Sequence, residues 1–230
     1  STLNKADLAA LKFIKSDKKT NLSTQILINV TGSNIDNLVG KIYLDNTIYK
    51  EDDKVYKMSV FNLVAKEENG NKSIQLSSDF ADAEIKGKFK ILELPLSTKF
   101  LLQKYLPSYF TEYKSSAPNQ NFEYSCTFKK TGPITRLFVP DLVVSNQSNF
   151  HGVFNASKND FSLKANTDMI EYKGYVFNKL NIDAVTGPNS LVFYANTKKL
   201  SLSDSLWFQD FNIISNTNED STHLSLMWDN

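Results

Sequence analysis

Apolar and polar residues alternate with period two through most of the chain. In "QILINV" Ile26, Ile28 and Val30 share one parity. "KIYL" repeats the pattern with Ile42 and Leu44, "FNLVA" with Phe61, Leu63 and Ala65, and "SIQL" with Ile74 and Leu76. "NFEYSCTFK" sets Phe122, Tyr124, Cys126 and Phe128 against Glu123, Ser125, Thr127 and Lys129, and "FSLKA" continues with Phe161, Leu163 and Ala165. Successive strand residues point to opposite faces, so each run predicts a strand with one apolar and one polar face. The Asn-, Gly- and Asp-rich stretches "EENGNK", "TGPNS" and "NTNEDS" read as the turns between them.

Two segments depart from this period. "KADLAALKFIK" reads as a short amphipathic helix. "LPLSTKFLLQKYLPSYFTEYK" reads as a second, with Phe100 beside Leu101 and Tyr105 four residues after Leu101. Pro107 should kink or end it. "KSSAPNQN" is the most linker-like stretch, a loop between two halves of one architecture; residues 114–121 are the one place where residues 1–230 could divide. A weak repeat is visible: Leu180 matches Phe211 and Ile182 matches Ile213, each 31 residues on. A repeat of this length in a β-rich chain predicts stacked units that bury their apolar faces only together.

The stretch "SSDFADAEIKGKF" carries Asp79, Asp82 and Glu84 close together and invites a catalytic or metal-site reading. Alternation argues otherwise. Ala81, Ala83, Ile85 and Phe89 take one parity, and Asp82, Glu84, Lys86 and Lys88 the other. Carboxylates on a charged, solvated strand face stay ionised; a general acid needs desolvation or a like charge beside it.

Composition narrows the field further. Of 230 residues, 41% are hydrophobic and 22% charged, which places the chain among folded proteins. The net charge of +1 has no basic stripe behind it, so no nucleic-acid partner is expected. Cys126 is the only cysteine and sits on the apolar parity, which predicts a small buried hydrophobe. His151 and His223 are the only histidines and lie in no metal-binding spacing; His151 falls on the polar parity of its run. No GxSxG, GxGxxG or Walker-type loop occurs. Neither a membrane-length apolar run nor a signal peptide is present in these residues. The expectation is a non-enzymatic chain without metal or cofactor. The 16 Phe and 10 Tyr suit either a β core or a greasy channel.

Three stretches resemble the TamB-like branch of the AsmA-like envelope proteins of Gram-negative bacteria. They are "NIDNLVGKIYLDNTIYKEDDKVYKMSVFNLVAKEENGNKSIQLSSDFADAEIKGKF", the "LLQKYLPSYF" segment that follows, and "LFVPDLVVSNQSNFHGVFNASKNDFSLKA". Together they cover roughly half of the chain, and none of their motifs is catalytic. The resemblance implies a periplasmic segment of a longer protein anchored in the inner membrane. It implies an elongated, curled β-sheet (a β-taco or half-barrel) with a continuous apolar inner face. It also implies work with an outer-membrane barrel of the BamA/TamA type in phospholipid transport and outer-membrane assembly.

The combined expectation is a mainly β chain forming a segment of a lipid-transfer conduit, whose apolar parity holds phospholipid acyl chains. In the first half the lipid-binding candidates are Ile26, Ile28, Ile42, Leu44, Phe61, Leu63, Ile74, Leu76, Ile85 and Phe89. In the second half they are Phe122, Phe128, Phe161, Leu163, Leu180, Ile182, Leu191, Phe193, Phe211, Ile213, Leu224 and Leu226. The rival expectation is a closed β-sandwich acting as a binding or adhesion module, with the apolar parity serving only as core. A further rival, an enzyme on a β-solenoid, needs carboxylates or Arg/Lys clustered on one exposed sheet face.

Overall fold

The computed structural model describes residues 2–6, 20–110, 119–132, 135, 139 and 141–229. The first seven strands are β1 (Thr2–Ala6), β2 (Thr20–Thr31), β3 (Val39–Glu51), β4 (Lys54–Glu68), β5 (Asn71–Ser78), β6 (Ala81–Lys88) and β7 (Asn121–Phe128). They are followed by β8 (Leu142–Val144), β9 (Asn149–Asn155), β10 (Asp160–Tyr172), β11 (Tyr175–Thr186), β12 (Leu191–Ser201), β13 (Trp207–Asn218) and β14 (Ser221–Asp229). One helix, α1 (Leu94–Gln103), is described, between β6 and β7.

All fourteen strands belong to one sheet, in sequence order, with β8 pairing beside β9 on the same edge of β10. Every pairing is antiparallel, as short polar hairpins allow. The sheet does not close: β1 pairs only with β2 and β14 only with β13, and every residue of β14 is exposed.

The sheet curls, and its connections show why it must. Leu92 N–H donates to the Asp36 carboxylate in the β2–β3 turn, and Ser108 N–H donates to Asp220 in the β13–β14 turn. Ten strands, β3–β7 and β9–β13, separate those turns along the sheet. Laid flat they would span about 48 Å. The segment from Leu92 to Ser108 reaches only about 24 Å if helical throughout. One segment touches both flanks only because the sheet bends around it.

The strands bend at matching levels. In β10–β13 the inward-facing positions skip from Thr167 to Ile170, Leu180 to Phe177, Thr197 to Leu200 and Phe211 to Phe208, all in register. Lys179 and Asp210 take left-handed φ values of 55° and 43° at this line. Thr197, 3% exposed, donates to the carbonyls of Asn178 and Lys199, and Thr167 donates to that of Met169. The inward hydroxyls thus satisfy backbone acceptors that the kink turns away from the ladder. Outside the bend, Lys179 pairs with Asp168 at 2.6 Å and Lys198 with Asp210 at 2.5 Å. A second kink crosses β2 and β3, where Asn46 has φ 49°, the register shifts between Ser23 and Gln25, and Thr24 meets Thr47 at 2.7 Å.

The second expected helix begins as anticipated at Leu94 and ends at Gln103. Helical turns continue through Leu106 N–H to Leu102 and Phe110 N–H to Leu106, while Pro107 has no N–H to offer. The remainder of that stretch, residues 111–114, lies outside the described residues. In the first expected helix, Lys5 and Ala6 close β1 instead, and residues 7–15 lie outside the described residues. The linker-like stretch 114–121 is described only from residue 119, and β6 and β7 on either side of it pair directly.

Candidate functional site

Strand register turns the local alternation into continuous, mainly apolar rows. One row runs Ile28–Ile42–Leu63–Leu76–Ala83–Cys126 in β2–β7. It continues Phe150–Ala165–Ile182–Ala195–Ile213–Leu226 through β9–β14. A neighbouring row runs Val30–Gly40–Ala65–Ile74–Ile85–Tyr124, then Gly152–Leu163–Ala184–Phe193–Ser215–Leu224. Ile26, Leu44 and Phe61 align in the next row on one flank, and Leu180 and Phe211 face Thr167 and Thr197 on the other. Phe128 reaches the same face against Phe150, with ring centroids 5.9 Å apart. The repeat has a simple geometry: Ile182 and Ile213 flank Ala195 from either side.

Exposure varies along these rows. In the middle the small residues Cys126, Ala184 and Ala195 are buried among larger neighbours, while Leu163 and Ile182 are half-buried. At the two lips the inward residues are open, with Ile28 57%, Leu224 59% and Leu226 46% exposed. Phe89, Phe122, Phe161 and Leu191, with Ile74 and Ile85 beside them, sit differently from the other candidates. They pack with Leu101, Tyr105 and Phe154 under α1, in the one buried cluster of the described core.

Sequence reasoning missed a further part of the face. Beyond the kink, Val144, Ile170, Phe177, Leu200 and Phe208 align as another row, and Trp228 meets Phe208 edge-on and stacks with Phe211, at centroid distances of 5.5 and 6.3 Å. The signal was the spacing of three between Phe177 and Leu180 and between Phe208 and Phe211, which breaks strict alternation.

The outer face is mainly polar, with Leu27, Tyr43, Val153, Val185 and Ile214 also exposed on it, and holds no constellation of catalytic type among the described residues. Asn149, Asn166, Asn181, Asn196 and Asn212 stand in register across five strands. Asn149 and Asn166 exchange reciprocal amide bonds at 2.9 and 3.1 Å, and Asn181 donates to Asn196 at 3.1 Å. A one-residue slip would carry this amide row to the apolar side, so it reinforces the register.

Asp82 and Glu84 lie on this outer face, and His151 is exposed. The ion-pair partner of Asp82 is not a lysine of its own strand but Lys129 at the end of β7, 2.6 Å away, and Ser77 also donates to it. Glu84 accepts from Gln75. Asp79 sits in the β5–β6 turn and accepts from Ser59 N–H. No group of His, Cys, Asp and Glu among the described residues could hold a metal ion.

The Lys129 hydrogen bond holds the Asp82 carboxyl below its usual range, against a small opposing effect of burial. A depressed folded pKa gives stability that is present above the unfolded pKa and lost as pH falls through the folded one. Half of the Asp82 side chain is exposed, so the pair contributes only about 0–1 kcal/mol. Asp82→Asn and Glu84→Gln should therefore leave the fold intact and stability within about 1 kcal/mol of the parent above pH 5. Asp82→Asn should also flatten the acid limb of the stability–pH curve. Loss of activity in a folded variant would restore a chemical role to these carboxylates.

Burial pushes the Cys126 thiol up, with Asp82 adding to the effect, so the sulfur behaves as a small apolar group in its row. Burial likewise raises the Tyr124 and Tyr105 phenols, which keeps both as hydrogen-bond donors.

The fold and the face together define an open, curled antiparallel sheet with one apolar surface shared by twelve strands. No known family model, curated protein or solved structure matches the chain.

Proposed function

We propose that this chain is a segment of a lipid-transfer conduit in which phospholipid acyl chains lie against the apolar face of the curled sheet. The observation that carries the reading is the pair of rows, one apolar throughout and one broken only by Ser215, ending in exposed lips at Ile28 and at Leu224 and Leu226. A sealed sandwich serving as a binding or adhesion module would cover both ends of such rows. Acyl transfer onto this surface gains about 0.8 kcal/mol per methylene, roughly 12 kcal/mol for sixteen carbons before entropy losses. Recognition by area needs no catalytic group. The resemblance to TamB-like proteins supplies the wider setting: a periplasmic location, a parent anchored in the inner membrane, and a BamA/TamA-type barrel as partner in outer-membrane assembly.

The test is lipid capture. Protein purified without detergent should carry phospholipid detectable by native mass spectrometry, and delipidated protein should take up fluorescent phospholipid from vesicles. A folded protein that does neither would return the sealed binding module as the better reading.

A further inference from the structure

We infer that the segment containing α1 is a fixed stopper, which covers the apolar face over Phe122, Phe154, Phe161 and Leu191 and excludes acyl chains from that margin. The inference rests on the conduit reading and assigns to lipid the row through Ile182 and the Leu163 row beyond Ile74, Ile85 and Tyr124, which pack against the covered cluster.

The seat is dry. Tyr105 and Ser97 are 0% exposed and Leu101 is 3%. Ser97 spends its hydroxyl on the carbonyl of Glu93 in its own helix, 2.8 Å away. At the entry to the segment, Gln120 is 1% exposed and its amide clasps the backbone of Lys90 from both sides, at 3.0 and 3.2 Å. A buried amide with donor and acceptor both satisfied ties the two ends of the β6–β7 connection together.

The far end is held by hairpin turns of the sheet. The Tyr105 hydroxyl donates to the Gly187 carbonyl in the β11–β12 turn at 3.0 Å and accepts from Asn159 in the β9–β10 turn at 3.0 Å. Asp220 N–H, in the β13–β14 turn, donates to the Tyr105 carbonyl, while the Asp220 carboxylate accepts from Ser108 N–H at 2.9 Å and from its hydroxyl at 2.7 Å. With Leu92 on Asp36, four turns at one end of the strands hold a single segment. A lid would meet its seat through contacts that part together. Here polar anchors at both ends bracket an apolar middle, and each anchor is made to a different pair of strands.

The probe is a palmitic acid analogue with a diazirine in its chain, photolysed on the intact protein and mapped by peptide mass spectrometry. Label is expected at Ile182, Leu163 and Leu226 and not at Phe161 or Leu191. Hydrogen exchange at Leu102, Tyr105 and Leu106 should stay as slow with lipid as without it.

Weakening the latch supplies the second arm. Asp220 has φ 64°, which glycine adopts freely, so Asp220→Gly combined with Ser108→Ala removes both side-chain bonds of the latch without straining the turn. Labelling of Phe161 and Leu191 should then rise about tenfold, equivalent to about 1.4 kcal/mol of lost closure. Label at Phe161 and Leu191 in the parent protein, faster exchange on lipid addition, or no rise in the latch variant would overturn the stopper while leaving the conduit standing. Absence of label from every row would remove the conduit itself, and the stopper with it.

Discussion

Ile182→Asp should abolish lipid uptake in a protein that still folds, while Asn181→Asp beside it should leave uptake unchanged. Ile182 lies mid-row between Ala165 and Ala195 and is half buried. A carboxylate placed there keeps access to water, so the cost to folding should be about 1–3 kcal/mol. Its effect on an acyl chain is far larger, because every chain crossing the row must pass a charge. Asn181 points to the outer face and donates to Asn196. Its replacement by aspartate removes one exposed amide donor, a loss of about 1 kcal/mol or less. Circular dichroism and vesicle uptake on both variants read the outcome. An unfolded Ile182→Asp protein would indicate a sealed core and favour the binding module. A folded variant with full uptake would take this face out of the lipid path.

Gly152→Ala should be strongly destabilising although it adds a single methyl group. A Cβ at Gly152 would stand 1.9 Å from the Ser162 carbonyl oxygen and 2.7 Å from the Tyr124 hydroxyl. Glycine is required here by close approach rather than by φ. The Tyr124 side chain reaches from β7 across β9 to donate to the Ser162 carbonyl in β10 at 2.9 Å, and it passes over the place where a side chain at residue 152 would be. Neither neighbour is free to yield, since one is backbone and the other is fixed by its hydrogen bond. The cost should be about 3 kcal/mol, at the upper end for overpacking. For a chain of this size that lowers the melting temperature by roughly 6–12 °C. Gly70→Ala is the control for the loss of a glycine without a clash, since nothing lies within 4 Å of its position, although its φ of 73° adds local strain. A Gly152→Ala protein as stable as the parent would mean that Tyr124 does not hold this position.

Much of the face was readable from local alternation. Every candidate from Ile26 to Leu226 lies on the apolar side, Cys126 is buried there, and Asp82 and Glu84 point the other way. These properties depend only on the period of two along each strand, so a linear reading suffices. The start of α1 was equally local, marked by Leu94–Pro95 and by the spacing of Phe100, Leu101 and Tyr105.

Other features needed the strands to be assembled. The kinks at Asn46, Lys179 and Asp210 shift the phase of alternation, and only strand pairing shows that neighbouring strands shift together and bring Val144, Ile170 and Leu200 onto the face. Lys129 finds Asp82 across 47 residues, and Ser108 finds Asp220 across 112. The sequence by itself determined which side of each strand is apolar, because alternation is a property of neighbouring residues. The tertiary structure alone decided which stretches of that side are open at the lips and which are covered by α1. Curl and register are set by hydrogen bonds between residues far apart in the chain, and no local period encodes them.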